Sequence, residues 1–117
     1  MGWIGVDLDG TLAEYHGWDK LPTNGIGAPI PAMVERVKGW LDEGREVRIF
    51  TARVYPMGTS RLLMDERDDE LYREATSQYR LINRWCVRHI GVGLPITCVK
   101  DPHMIELWDD RAIHVVS

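Results

Sequence analysis

The stretch Trp3-Ile-Gly-Val-Asp-Leu-Asp-Gly-Thr11 decides how the rest of the chain is read. Trp3 to Val6 form a short apolar run of strand type. The run gives out at two carboxylates two residues apart, followed by glycine and a hydroxyl. In extended backbone, residues i and i+2 point to one face, so Asp7 and Asp9 begin as neighbours of like charge. Such a pair repels unless something positive lies between them.

Working outward, Val47-Arg-Ile-Phe50 reads as a second strand that also ends at a polar cluster. Between the two, Pro31 opens a helix whose apolar positions Met33, Val34, Val37, Trp40 and Leu41 recur at helical spacing, and Gly44 stops it. Residues 12–30, with three glycines and two prolines, are expected to form an irregular flap over one end of the sheet. Past Thr51, a loop with Pro56 and Gly58 leads into a long helix expected from about Asp65 to Ile90. Its apolar face is Leu71, Ala75, Tyr79, Ile82, Cys86 and His89, and its acidic start, 65–70, suits the positive end of the helix dipole. Gly91 ends it, and three short strands follow at 96–99, 105–108 and 113–116. Strands alternating with helices predict an α/β fold: a three-layer, Rossmann-like sandwich around a mainly parallel five-stranded sheet.

Length and composition agree with one domain over residues 1–117, large enough to bury a core without disulfide or metal staples. Apolar residues make up 44% and charged residues 27%, as in an ordinary globular chain. No apolar stretch approaches the roughly 20 residues needed to span a bilayer. Met1 to Ile4 lacks the basic start and long apolar run of a signal peptide, so a cytoplasmic protein without a membrane partner is expected. Cys86 and Cys98 form no Cys-x-x-Cys pair and are expected to be buried reduced thiols. A net charge of −4 gives no general attraction to nucleic acid, so any phosphate-bearing partner must be held locally.

In open parallel sheets, ligands bind outside the carboxyl ends of the strands, so the residues just past each strand carry the chemistry. The first strand runs into Asp7, Asp9, Gly10 and Thr11, the second into Thr51, Ala52 and Arg53, the third into Lys100, and the fourth into Asp109 and Asp110. Carboxylates clustered at one point disfavour joint ionisation. A hard divalent cation removes that cost, and Mg2+ favours one or two carboxylates together with waters and a substrate phosphate. Gly10 lets backbone N–H groups approach an anion, Thr51 offers a hydroxyl, and Lys100 a fixed positive charge.

Those motifs, in that order and across nearly the whole chain, resemble the four motifs of the haloacid dehalogenase-like superfamily. The resemblance implies a Mg2+-dependent phosphomonoester hydrolase in which Asp7 is the nucleophile and Asp9 the general acid and base. Thr51 and Lys100 would hold the phosphoryl oxygens, with Gly10, Thr11, Ala52 and Arg53 lining the substrate. Asp7, Asp9 through its carbonyl, Asp109 and Asp110 would surround the metal. The second aspartate of the first motif separates phosphatases from the dehalogenase branch. Neither interval between motifs is long enough for a cap domain, so the chain is similar to the small capless branch, where an open site suits a large substrate or a neighbouring copy acting as lid.

The expected substrate is a phosphorylated small molecule. The rival is a phosphorylated nucleic-acid end, since the phosphatase part of polynucleotide kinase is similar in motif order and compactness. A silent binding module on the same scaffold is a third reading. A signalling receiver domain clusters the same residue types but places its adjacent acid pair early, whereas here Asp109-Asp110 comes last. Arg73, Arg80, Arg84 and Arg88 fall on one stripe of the long helix, opposite its apolar face, and are read as a solvated outer surface.

Overall fold

The computed structural model describes residues 2–17, 25–55, 66–109 and 113–115. Pro56, Gly58, Asp65 and Asp110, and position 116 at the end of the last expected strand, lie outside them. The first apolar run is β1 (Trp3–Asp7), the second β2 (Glu46–Phe50), followed by β3 (Ile96–Thr97), β4 (Met104–Trp108) and β5 (Ile113–Val115). The strand order is β3-β2-β1-β4-β5. The first four strands are parallel, and β5 joins β4 antiparallel. In register, Ile4 lies beside Val47 and Val6 beside Ile49, and on the other side Val6 lies beside Trp108.

Helix α1 (Pro31–Asp42) starts at a proline and has no side-chain cap. Burial of Met33, Val34 and Val37, rather than capping, holds it to the sheet, each such side chain contributing about 1.5–3 kcal/mol. Gly44, with φ +79°, ends it, its N–H donating to the Leu41 carbonyl at 3.0 Å. Helix α2 (Glu66–His89) is 24 residues long, close to the expected bounds. A 3-10 turn at Ala52–Val54 occupies the start of what the sequence suggested was plain loop.

The three-layer expectation does not hold among the described residues. Ile4, Val6, Leu8, Val47 and Ile49 share one buried cluster with Met33, Val34 and Val37 of α1 and with Ile82, Trp85 and Cys86 of α2. Both helices therefore lie on one face. The cause is in the connections: β1 to β2 and β2 to β3 step in the same direction across the sheet, and right-handed crossovers then place both helices on the same side. The return from β3 to β4 is six residues, 98–103, and contains no helix.

The opposite face is closed by its own side chains. Trp3, Met104 and Leu107 are buried there with Phe50 packed against them. The Trp3 indole lies across Gly5, where an added Cβ would come within 2.7 Å of Met104 Cε and 3.2 Å of the indole. Above the indole sits the Arg48 guanidinium, 4.5 Å from the ring centre, tied to Glu46 at 3.0 Å and Asp101 at 3.4 Å. The indole N–H donates to Asp101 Oδ1 at 2.8 Å. That hydrogen bond, with the His103 N–H and the charges of Arg48 and His103, outweighs desolvation and holds the Asp101 carboxyl below its ordinary pKa. Cys86 is buried, and desolvation pushes its thiol up to about 12, so it is neutral. Cys98 is half-buried and reduced. Among the described residues, no helix is long and apolar enough to cross a membrane.

Candidate functional site

Asp7 is the last residue of β1, and the chain turns immediately after it. The Leu8 carbonyl accepts from the N–H groups of Thr11, Leu12 and Ala13 at 3.3, 3.0 and 2.9 Å, and Gly10 takes φ +87°. A residue with a Cβ would be strained at that angle, which is why glycine stands in the tightest part of the turn. Leu8 is buried in the core while Asp7 and Asp9 stay half-buried toward the rim, as the i, i+2 relation required.

A pocket of about 240 Å3 opens at the carboxyl ends of β1 and β2, lined by Asp7, Asp9, Thr51, Ala52 and Arg53. Thr51 is 3% exposed; its Oγ accepts from the Arg53 N–H at 3.2 Å, capping the 3-10 turn, and its own N–H donates to the Thr97 carbonyl at 2.9 Å. That cap turns Arg53 back across the pocket. Its Nε and Nη2 donate to the two carboxylate oxygens of Asp9 at 2.8 and 2.7 Å, and Nη1 donates to the Gly25 carbonyl at 2.8 Å and to Gln78 Oε1 at 3.0 Å. The Arg53 side chain is 5% exposed and that of Asp9 16%. The positive charge paired with Asp9 is thus an arginine, held from the flap and from α2.

Gly10 and Thr11 do not line the pocket. Their N–H groups serve the turn itself, Gly10 donating to the Ala13 carbonyl at 2.7 Å and Thr11 to that of Leu8. The Thr11 hydroxyl is buried and has no hydrogen-bond partner among the described residues. Lys100 is exposed and also absent from the lining. β3 ends at Thr97, earlier than expected, and Asp101, next to Lys100, is already tied to Trp3 and Arg48 on the helix-free face. Lys100 therefore follows no strand end.

Asp109 sits one residue past β4, half-buried, on the strand adjacent to β1. Val6 pairs with Trp108, so Asp7 and Asp109 each follow the last paired residues of two adjacent strands. This junction of β1 and β4 is where the strand order reverses, the place where open α/β sheets hold ligands. Two carboxylates and a nearby backbone carbonyl suit a hard cation that keeps waters and takes a phosphate oxygen. Among the described residues, no three His, Cys, Asp or Glu side chains lie close enough to hold a metal ion by themselves.

Gln78 and the Gly25 carbonyl were missed from sequence. Gln78 carries no motif, and the one available signal was its position on the half-polar edge of α2. No protein-family model, curated protein or solved structure matches the chain.

Proposed function

We propose that the protein is a phosphomonoester hydrolase of haloacid dehalogenase-like type, with Asp7 as nucleophile. One observation carries this reading: Asp7, Asp9, Thr51 and Arg53 line a single pocket at the carboxyl ends of parallel strands, with Asp109 on the neighbouring strand at the order reversal. The order β3-β2-β1-β4 of the parallel strands supports it, while the packing of both described helices on one face and the absence of Lys100 from the pocket lining depart from the expectation.

In the first step an Asp7 oxygen bonds to phosphorus as the ester P–O bond breaks, and the proton that the phosphate monoanion brings passes to the Asp9 carboxylate and from it to the leaving oxygen. In the second, water attacks the aspartyl phosphate, Asp9 takes the water's proton, and inorganic phosphate departs with Asp7 restored. Thr51 and the backbone of the 3-10 turn orient the phosphoryl oxygens. Arg53 supplies the fixed positive charge that the resemblance assigned to Lys100. Asp7, Asp109 and the Asp9 carbonyl would hold Mg2+, which when bound offsets negative charge gathering on the phosphoryl oxygens.

Both Asp9 oxygens are engaged by Arg53, so Asp9 works as an acid only after the guanidinium passes to the incoming phosphate, itself a bidentate acceptor. Arrival of substrate is then what frees the proton donor.

The test is hydrolysis of an aryl phosphate with Mg2+ present and chelated, in the wild type and in Asp7→Asn. We expect activity only with the metal, and a fall of about three orders of magnitude or more in the variant at unchanged thermal stability. Undiminished turnover by Asp7→Asn removes the nucleophile and the reading with it.

A further inference from the structure

A second pocket of about 200 Å3 is walled by Ile26 of the flap and by Leu81, Arg84, Trp85 and Arg88 of α2. The two are joined through shared backbone. Gly25 and Gln78 hold Arg53 in the first pocket, while Ile26 and Leu81, one and three residues further on, wall the second. Leu81 Cδ1 lies 3.6 Å from where a Gly25 Cβ would stand, so flap and helix touch at the junction.

The floor of this groove is apolar, with Ile26 and Trp85 buried, and its rim is cationic, with Arg84 and Arg88 exposed. Among the described residues, no carboxylate pairs with either arginine. The stripe of four arginines read from sequence is therefore divided. Positions four apart on a helix advance about 40°, and that drift carries Arg84 and Arg88 round to the groove, which Arg73 and Arg80 do not line. Arg84 and Arg88 are one helical turn apart, about 6 Å of backbone along the axis, so the two cations follow one another along the groove, and Arg88 lies about 15 Å of backbone from Gln78.

We infer that this groove takes the backbone of a single-stranded nucleic acid whose phosphorylated end occupies the Asp7 pocket, with successive phosphates on Arg84 and Arg88. The inference rests on the phosphatase reading and narrows its substrate to an oligonucleotide end. Trp85 is 4% exposed, with its indole N–H donated to the Gly27 carbonyl at 3.0 Å, so it shapes the groove without offering a face for stacking. Recognition is then of backbone, not of base. With a net charge of −4 the attraction is local to this groove.

The test is fluorescence anisotropy of a labelled deoxythymidine octamer without a terminal phosphate, so that nothing is turned over. Wild-type protein is expected to bind it. Arg84→Gln with Arg88→Gln is expected to weaken binding about tenfold and to flatten the dependence of log K on log salt by about 1.4, or about 0.7 for each phosphate no longer neutralised. Arg36→Gln with Lys38→Gln removes two positive charges from α1 instead, and is expected to change affinity less than about twofold. Circular dichroism and the thermal midpoint establish that the groove variant is folded. Equal affinity in wild type and groove variant, equal losses in both double variants, or equal binding of a polyglutamate peptide overturns the assignment. Aryl phosphate hydrolysis by the wild type separates the two ideas: octamer binding without hydrolysis keeps the groove and removes the phosphatase, and hydrolysis without octamer binding does the reverse.

Discussion

Asp9 and Arg53 form the most heavily tied pair in the site, and their geometry makes the role of Asp9 separable from that of Asp7. A general acid matters in proportion to how badly the leaving group needs a proton. Asp9→Asn should slow hydrolysis of an alkyl phosphate by about 100-fold or more while costing a nitrophenyl phosphate much less. Steady-state rates on the two esters decide it; equal losses would mean that Asp9 acts only by holding Arg53. The positions of Asp7, Asp9 and Thr51 were legible because each follows an apolar run that ends abruptly. The pairing of Asp9 with Arg53 was not, since it joins residues 44 apart and depends on a 3-10 turn set by the Thr51 hydroxyl. Nor were the Gly10 and Thr11 N–H groups, which the same sequence could have offered to an anion and which the turn uses instead.

The two helices differ in what limits their stability. In α1, Gly39 is exposed with nothing within 4 Å of an added Cβ, so Gly39→Ala should raise stability by about 0.5–1 kcal/mol, measured by urea denaturation. In α2, His89 rests on the Trp85 ring at 4.8 Å, and this desolvation, aided by the charge of Arg88, lowers its pKa from 6.5. Burial here outweighs the helix C-terminus, which favours a cation. An unfolded chain then takes up a proton that the folded one refuses, so the contribution is complete above pH 6.5 and is lost as pH falls below it. His89→Gln should flatten the fall in thermal midpoint over that acid range; an unchanged slope would place the proton elsewhere. Both helices could be read from period and stop residues, Gly44 and Gly91. The groove beside α2 could not, because its far wall is Ile26, a flap residue with no periodic signal.

At the level of the whole molecule, the alternation of strands and helices was legible, but the packing of both described helices on one face was not, although the short 98–103 connection carried the signal. The helix-free face depends on the bare Cα of Gly5 beneath the Trp3 indole. Gly5→Ala forces Met104 and Trp3 outward and should cost about 1–3 kcal/mol in a denaturation experiment, the opposite sign to Gly39→Ala. β1 lies between β2 and β4, yet β4 comes after both helices and the other parallel strands. On the ribosome, the central strand and Asp7 at its end are therefore made early and wait, with one edge unpaired, until translation delivers β4. Asp109 arrives with that strand, so on the proposed reading the site is complete only when synthesis of the sheet is nearly done.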